Sequence, residues 1–275
     1  MLEVNLFDYE FIHTEKLLGY ITCSDTLKPT KIKWINGLLE FDGITVFTER
    51  YIDTDISRIN SKIKILWLLE PREVHPYGYQ RIVQIEDKFD YILTYDSELL
   101  KRSSKYIKYI VGQSRVESPK IYEKSKFVSM IASNKKLTTG HRFRHDIANA
   151  LSKKHNIDMW GSGYKKFETK IDPLSDYHFS VSVMNSKIDN FFTEVLLDNF
   201  MLGTNPIFWG CPNIGEFFDE RGMIIFDTID ELDLILSKLK KTDYTDRLEY
   251  IQKNMELAKN YVSTDDNIGD ILLKK

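Results

Sequence analysis

The stretch that most constrains the fold is residues 177–210, which combine a strand, a polar loop, an amphipathic helix and a second strand in direct succession. Residues 178–184 are rich in β-favouring side chains and short enough to form a buried strand. Residues 196–201 place apolar side chains on one helix face, and Gly203 stands where that helix would end. Pro206 then opens another apolar run, where a strand tolerates proline. The stretch therefore predicts a β-α-β unit of a parallel sheet.

The first loop and the helix start of this unit form a candidate ligand site. Ligands of open α/β sheets bind outside the carboxyl ends of the strands, and free amides at a helix N-terminus favour an anion such as a diphosphate. Glu194, in the first helical turn, could accept paired hydrogen bonds from a ribose diol. Thr193 and Glu194 are also typical of a plain helix cap with a charge matched to the helix dipole. On the local sequence the plain cap is the favoured interpretation.

Composition excludes several classes of protein. The net charge of -3 argues against a general nucleic-acid binder, which usually carries a basic excess. The two cysteines, Cys23 and Cys211, are too few for a disulfide framework and are expected to be small buried residues. No apolar run approaches the ~20 residues of a membrane span, and the N-terminal segment lacks the basic region of a signal peptide. We expect a cytoplasmic protein with no membrane span.

The chain also divides into two α/β halves. Apolar runs at residues 4–7, 44–47, 63–69 and 91–94 predict the strands of the first half. Residues 114–125 are polar with a proline and are the candidate linker. The second half is predicted to begin with a strand at residues 127–132, followed by a helix from about residue 141 to residue 154. We predict two domains, residues 1–118 and residues 119–275.

Three blocks resemble the α-1,3/4-fucosyltransferases of glycosyltransferase family 10. Residues 191–210 (FFTEVLLDNFMLGTNPIFWG) are similar to the family's donor-binding segment: an aromatic, an apolar residue, Thr-Glu-Lys, a short helix and a Pro-aromatic strand ending in Gly. Residues 131–134 with Arg144 resemble its Ser-Asn loop and the arginine-bearing helix that follows. Residues 67–71 (WLLEP) stand where the family has a strand ending in a loop glutamate. The similarity covers the C-terminal half well and the N-terminal half thinly.

The resemblance implies the fold and a reaction. The fold would be α/β, with two Rossmann-like domains facing a cleft (GT-B): residues 1–118 bind a glycan or oligosaccharide acceptor and residues 119–275 bind the nucleotide sugar. The reaction would be an inverting transfer, best matched by fucose from GDP-fucose, onto a glycan hydroxyl, with no metal and no further cofactor. Glu70 would be the catalytic base. The expected donor-binding residues are Ser133, Asn134, Arg144, Asn185, Phe191, Thr193 and Glu194.

The chain departs from the family pattern at three polar positions. Val195 replaces the lysine that would face the donor phosphates, Phe191 replaces a tyrosine, and Met184 replaces the glutamate of a Glu-Asn pair. These losses leave the sugar of the donor open. They also motivate an alternative function, a non-catalytic nucleotide-sugar or glycan-binding protein derived from such an enzyme.

Other candidate sites carry weaker signals. Asp53-Thr54-Asp55 is a DxD triplet, which in GT-A glycosyltransferases holds Mn²⁺ and a diphosphate, but helix capping is the favoured interpretation. His141 and His145 are four residues apart with no third metal ligand, and solvated helix positions are expected. Residues 161–163 (GSG) predict a turn. The rivals of Glu70 in the first half are Glu73, Asp90 and Asp96.

Overall fold

The computed structural model describes residues 1–8 and 29–275. They form two compact units, one of residues 1–111 with 263–275 and the other of residues 112–262. The sequence predicts a boundary after residue 118 and the whole tail in the second half. In the structure the division falls after residue 111, and the tail joins the first unit.

The first unit contains a parallel six-stranded sheet in the order β2-β1-β3-β4-β5-β6. Its strands are β1 (Leu2–Phe7), β2 (Ile32–Asn36), β3 (Glu40–Thr48), β4 (Asn60–Trp67), β5 (Tyr91–Thr94) and β6 (Tyr106–Lys108). Two helices lie between its later strands, α1 (Pro76–Ile85) and α2 (Ser97–Leu100). The four predicted strands of this half are confirmed as β1, β3, β4 and β5. Their apolar side chains pack with α1 in one core, because parallel sheets are covered by the helices that connect their strands.

The second unit contains a parallel five-stranded sheet in the order β11-β10-β9-β7-β8. Its strands are β7 (Lys126–Ile131), β8 (Asp158–Trp160), β9 (Tyr177–Val183), β10 (Asn205–Trp209) and β11 (Ile224–Ile225). Its helices are α3 (Thr139–Leu151), α4 (Ile171–Leu174), α5 (Glu194–Met201), α6 (Ile229–Lys238), α7 (Lys241–Thr245) and α8 (Leu248–Ala258).

The predicted β-α-β unit is confirmed as β9-α5-β10. All seven residues of β9 are buried, as expected for a central strand of a sheet covered on both faces. Thr193 is the N-cap of α5. Gly203 has a φ of +66°, which glycine adopts without steric cost, so that the chain reverses after α5 and enters β10.

The C-terminal helix α9 (Thr264–Leu272) is tied to the first unit by side-chain hydrogen bonds. Asp265 Oδ1 accepts from Trp34 Nε1 at 2.9 Å. Asp266 Oδ1 accepts from the backbone N–H groups of Thr30 and Lys31 at 2.7 and 2.9 Å. These partners are more than 200 residues away in the sequence, so no local pattern of the tail indicates them.

The strand orders place a topological switch point in each sheet. In the second unit the chain passes from β7 to β8 on one side and then to β9 on the other, so the switch point lies between β7 and β9. In the first unit it lies between β1 and β3. Ligands of open α/β sheets bind outside the carboxyl ends of strands at such points.

The described residues also bear on the cysteines and on membrane-spanning helices. Cys211 is a buried free thiol, as predicted, while Cys23 lies outside the described residues. Of the helices in residues 1–8 and 29–275, none combines the length and the apolar character that crossing a bilayer requires.

Candidate active site

Arg144 spans the switch point of the second unit. It lies on α3, which follows β7, and its Nε and Nη2 donate to the carbonyl of Val183, the last residue of β9, with Nε at 2.8 Å. Burial lowers the pKa of Arg144 to about 10, and the Glu194 carboxylate partly offsets this effect, so the guanidinium stays charged at neutral pH. Nη1 makes no hydrogen bond to any described residue.

Gly140 allows α3 to approach the loop after β9. Its N–H donates to Asn185 O at 2.9 Å. A Cβ at this position would lie 1.9 Å from the carbonyl oxygen of Met184, a contact that no side chain tolerates. His141, predicted on a solvated face, is instead buried: its Nδ1 lies 2.9 Å from Thr138 Oγ1 in the capping box that starts α3. The start of α3, and with it Arg144, is therefore fixed against the end of β9.

Two buried polar atoms follow β9. Asn185 Oδ1 and Ser186 Oγ have no hydrogen-bond partner among the described residues. Leaving a buried polar group unpaired costs about 1–3 kcal/mol, and a bound ligand or water that donates to it recovers that cost. Asn185 is among the predicted donor-binding residues, whereas Ser186 is not.

The loops after β7 and β8 approach each other closely. Gly163 has a φ of +89°, and a Cβ there would lie 2.4 Å from the exposed Asn134 side chain. Gly161 has a φ of +110°, and a Cβ there would lie 2.1 Å from Ala132 O. The turn predicted at residues 161–163 is therefore confirmed, and it borders the predicted Ser133-Asn134 loop. Ser133 Oγ accepts from Lys135 N at 3.4 Å.

Thr193 and Glu194 have clear structural roles at the start of α5. Thr193 Oγ1 accepts from Val195 N at 3.4 Å, so the plain cap that the sequence favoured is present. Burial alone would raise the pKa of Glu194. The positive charges of Lys170, Arg115 and Arg144, together with a hydrogen bond to Thr193, outweigh burial and hold the pKa below its ordinary value. Glu194 is therefore an ionised acceptor in a cationic environment.

An ion pair that the sequence analysis missed lies one turn further along α5. Lys170 Nζ is 3.6 Å from Asp198 Oδ2, and the two side chains are 9% and 0% exposed. Asp198 Oδ1 also accepts from Ser114 Oγ at 2.8 Å and from Arg115 N at 2.9 Å. The signal was the i, i+4 spacing of Glu194 and Asp198, which places two carboxylates on one helix face and calls for a cation. Phe191, the remaining predicted donor residue, is buried.

Glu70, the predicted base, lies in the first unit just after β4. Its backbone N–H donates to Glu49 Oε1 at 3.1 Å, and its carbonyl accepts from Tyr79 OH at 2.9 Å. The Glu70 residue is partly exposed. Glu49, which sequence analysis missed, is only 1% exposed, and burial raises its pKa to about 7 despite hydrogen bonds from the amides of Leu69 and Glu70.

Two of the rival carboxylates are occupied by structural partners. Asp96 caps α2 and pairs with Arg72 Nε at 2.6 Å, and Asp90 Oδ2 accepts from Lys64 N at 2.7 Å. In the DxD triplet, Asp53 Oδ1 accepts from Tyr77 OH at 2.9 Å and Arg81 Nε at 3.1 Å. Within the described ranges, no cluster of three or more His, Cys, Asp or Glu side chains is arranged to hold a metal ion.

A family model described as glycosyltransferase family 10 (fucosyltransferase) C-term matches residues 121–264, more than half of the chain. The chain belongs to this family. It is a glycosyltransferase, and the matched region contains Ser133, Arg144 and Glu194. No curated protein matches the chain in sequence.

Solved structures support the fold independently. A crystal structure of an α1,3-fucosyltransferase with GDP is 18% identical, with a TM-score of 0.57 over 97% of this chain and 92% of that one. A crystal structure of an α1,3-fucosyltransferase with GDP-fucose is also 18% identical, with a TM-score of 0.57 over 95% of this chain and 90% of that one. Anabaena Alr3699/HepE in complex with UDP and glucose is 9% identical, with a TM-score of 0.67 over the full length of both chains. The two parallel α/β units of this family 10 chain therefore match GT-B glycosyltransferases.

Val195 stands where the family 10 pattern has a lysine, and other residues bring positive charge to the start of α5. Val195 is partly buried in the first turn of α5 and carries no charge. Lys170 and Arg115, from loops that precede β9 and β7, bring positive charge to the neighbouring Glu194 instead. The start of α5 is therefore cationic without a lysine at position 195.

Proposed function

We propose that this family 10 glycosyltransferase moves fucose from GDP-fucose onto a glycan hydroxyl with inversion at the anomeric carbon. The observation that carries the proposal is the meeting of Arg144, the capped start of α5 and the ionised Glu194 at the switch point of the second unit. The choice of GDP-fucose is supported by the family description and by the GDP and GDP-fucose complexes of α1,3-fucosyltransferases at 18% identity.

In the proposed donor site, Arg144 Nη1 and the amides at the start of α5 bind the diphosphate. Preorganised donors of this kind stabilise the negative charge that develops on the leaving GDP, and the proposal requires no metal ion. The Glu194 carboxylate accepts hydrogen bonds from the ribose diol. Ser133, Asn134 and Asn185 line the site, and Asn185 Oδ1 offers a buried acceptor to the ligand.

We assign the general base to Glu70. As the acceptor hydroxyl oxygen bonds to the anomeric carbon, Glu70 takes the hydroxyl proton and the bond from that carbon to the phosphate oxygen breaks. GDP leaves with the electron pair of the broken bond. A base placed within hydrogen-bond reach of the hydroxyl contributes about 10²–10⁴-fold to such a reaction.

Donor binding is tested by calorimetric titration of the full chain with GDP, GDP-fucose and UDP, each with and without a chelator. We expect GDP and GDP-fucose to bind equally well in both conditions. Glu194→Ala should weaken GDP binding, whereas Asp230→Ala, which removes an exposed first-turn carboxylate from α6, should not. Absence of nucleotide binding would reject the donor site, and binding only with a divalent cation would favour the DxD triplet.

Transfer is tested by following GDP release from GDP-fucose with a panel of oligosaccharide acceptors. Glu70→Gln should keep the donor affinity and lose at least about 10²-fold in kcat, in line with the contribution of a general base. Glu73→Gln, an exposed carboxylate three residues away, is the matched control. Full activity of Glu70→Gln would remove Glu70 as the base. Tight donor binding without transfer to any acceptor would favour the non-catalytic alternative.

A further inference from the structure

Three buried tyrosines bind three successive carbonyl groups of the segment that carries Glu70. Tyr109 OH donates to Leu68 O at 2.7 Å, Tyr95 OH donates to Leu69 O at 3.2 Å, and Tyr79 OH donates to Glu70 O at 2.9 Å. Burial raises the pKa of all three hydroxyls, so each keeps its proton and can donate. The tyrosines come from α1, from the end of β5 and from the end of β6.

The amides of the same segment are also held. Leu69 N and Glu70 N donate to the two carboxylate oxygens of Glu49 at 2.9 and 3.1 Å, and Leu68 N donates to Leu93 O at 3.0 Å. All six backbone polar groups of residues 68–70 therefore have a partner in the first unit. We call Glu49, Tyr79, Tyr95 and Tyr109 the Glu70 clamp.

Packing alone does not explain the Glu70 clamp. Phenylalanine would fill the three tyrosine positions without burying a hydroxyl, and a buried carboxylate such as Glu49 is costly to desolvate. A loop backbone at a strand end can also be satisfied by water at the surface. The clamp instead directs five hydrogen bonds, from four side chains in separate parts of the first unit, to the backbone of residues 68–70.

We propose that Glu49, Tyr79, Tyr95 and Tyr109 are positioning residues that fix the backbone of Glu70, and thereby the direction of its carboxylate, for proton abstraction. This inference rests on the proposed role of Glu70 as the base. A general base acts only within hydrogen-bond reach of its proton, and a displacement of about 1 Å can cost on the order of a hundredfold in rate. A base on a loop needs such support because loops are otherwise the most mobile part of a fold.

The test uses Tyr79→Phe, Tyr95→Phe and Tyr109→Phe in the full chain, with transfer from GDP-fucose to the acceptor found in the panel. Each change removes one hydroxyl and keeps the ring. We expect kcat to fall by about ten- to a hundredfold, while the dissociation constant of GDP stays unchanged, because misplacing the base affects the chemical step. Rates are expressed per GDP-binding site, so that unfolded protein does not count.

Tyr106→Phe is the matched control. Tyr106 is also a buried tyrosine of the first unit, but its hydroxyl donates to the Glu86 carboxylate instead of the backbone of residues 68–70. We expect Tyr106→Phe to keep the kcat of the unchanged protein. Equal loss of kcat in Tyr106→Phe and in the three clamp variants would show a general loosening of the unit and would overturn the proposal.

A double-mutant cycle separates this inference from the proposed function. In a Glu70→Gln background the clamp has no base to position, so Tyr79→Phe should leave the residual rate unchanged. If Tyr79→Phe lowers the rate by the same factor with and without Glu70, the clamp does not act through Glu70 and the inference is rejected. If Glu70→Gln alone is fully active, the proposed base fails first, and the clamp fails with it.

Discussion

Lys170 Nζ lies 3.6 Å from Oδ2 of Asp198, and the Asp198 side chain is completely buried. The same lysine is the strongest positive influence on Glu194, one turn earlier on α5. One lysine from the loop after β8 therefore interacts electrostatically with two carboxylates of α5. This relation links the stability of the second unit to the charge of the proposed ribose-binding residue.

Lys170→Met should destabilise the second unit. The change leaves Asp198 buried without its cation, and breaking a buried ion pair by removing one partner costs about 3–5 kcal/mol. Urea denaturation of the full chain measures the loss. Lys166→Met, at an exposed position of the same loop, is the control and should change stability little. A cost below about 1 kcal/mol, as for a surface pair, would contradict a buried role for Lys170.

Gly140→Ala should weaken both stability and donor binding. The added methyl group would meet the Met184 carbonyl at 1.9 Å, so the start of α3 must move and carry Arg144 with it. Such overpacking costs about 1–3 kcal/mol. Denaturation and GDP titration measure the two effects. Asn149→Ala, at an exposed position of α3, should show neither effect, and normal GDP binding by Gly140→Ala would separate the helix start from the donor site.

Arg144→Lys should lower GDP affinity although the charge is kept. Arg144 donates to the Val183 carbonyl through Nε and Nη2, and in the proposed site its third nitrogen, Nη1, binds a phosphate. Lysine has a single nitrogen and cannot make both contacts. We expect a loss of about ten- to a hundredfold, the range of one or two charge-assisted hydrogen bonds. Calorimetry with GDP measures it. Arg142→Lys is the control, since that exposed guanidinium donates to Lys136 O and Leu137 O. An equal loss there would show that the effect is not specific to the Arg144 fork.

Glu49→Gln should change how stability depends on pH. Burial raises the pKa of Glu49 from 4.5 to about 7, so the folded chain binds a proton more tightly than the unfolded chain does. The stabilisation from this proton is present below pH 4.5 and is lost as the pH rises to 7. Between pH 5 and pH 8 the unchanged protein should therefore lose about 2.5 kcal/mol relative to Glu49→Gln.

Urea denaturation of both proteins at the two pH values gives this difference, in which the other titrating groups cancel. The titratable groups that interact with Glu49 are Glu70, Tyr79, Tyr95 and Tyr109. All three tyrosines stay protonated across this range, because burial raises their pKa. An equal change in stability for the two proteins would show that Glu49 does not titrate there.

Local patterns were sufficient for the β9-α5-β10 unit. Apolar periodicity, the Thr193 cap and the Gly203 stop act between residues a few positions apart, so each can be identified directly from the chain. The resemblance added Arg144 and Glu194, which lie in the region matched by the family. His141 was predicted incorrectly, because a helical wheel does not show that its side chain folds back onto Thr138.

The sequence by itself determined the β-α-β pattern and the two α/β halves, since backbone preferences and helix caps are local. Only the tertiary structure decided that Lys170 and Arg115 surround Glu194 and Asp198, that α9 joins the first unit, and that Glu49 with three tyrosines holds the Glu70 segment. The physical reason is common to all three. Each contact joins segments that are distant in the chain, and strand order, which no local pattern encodes, brings them together.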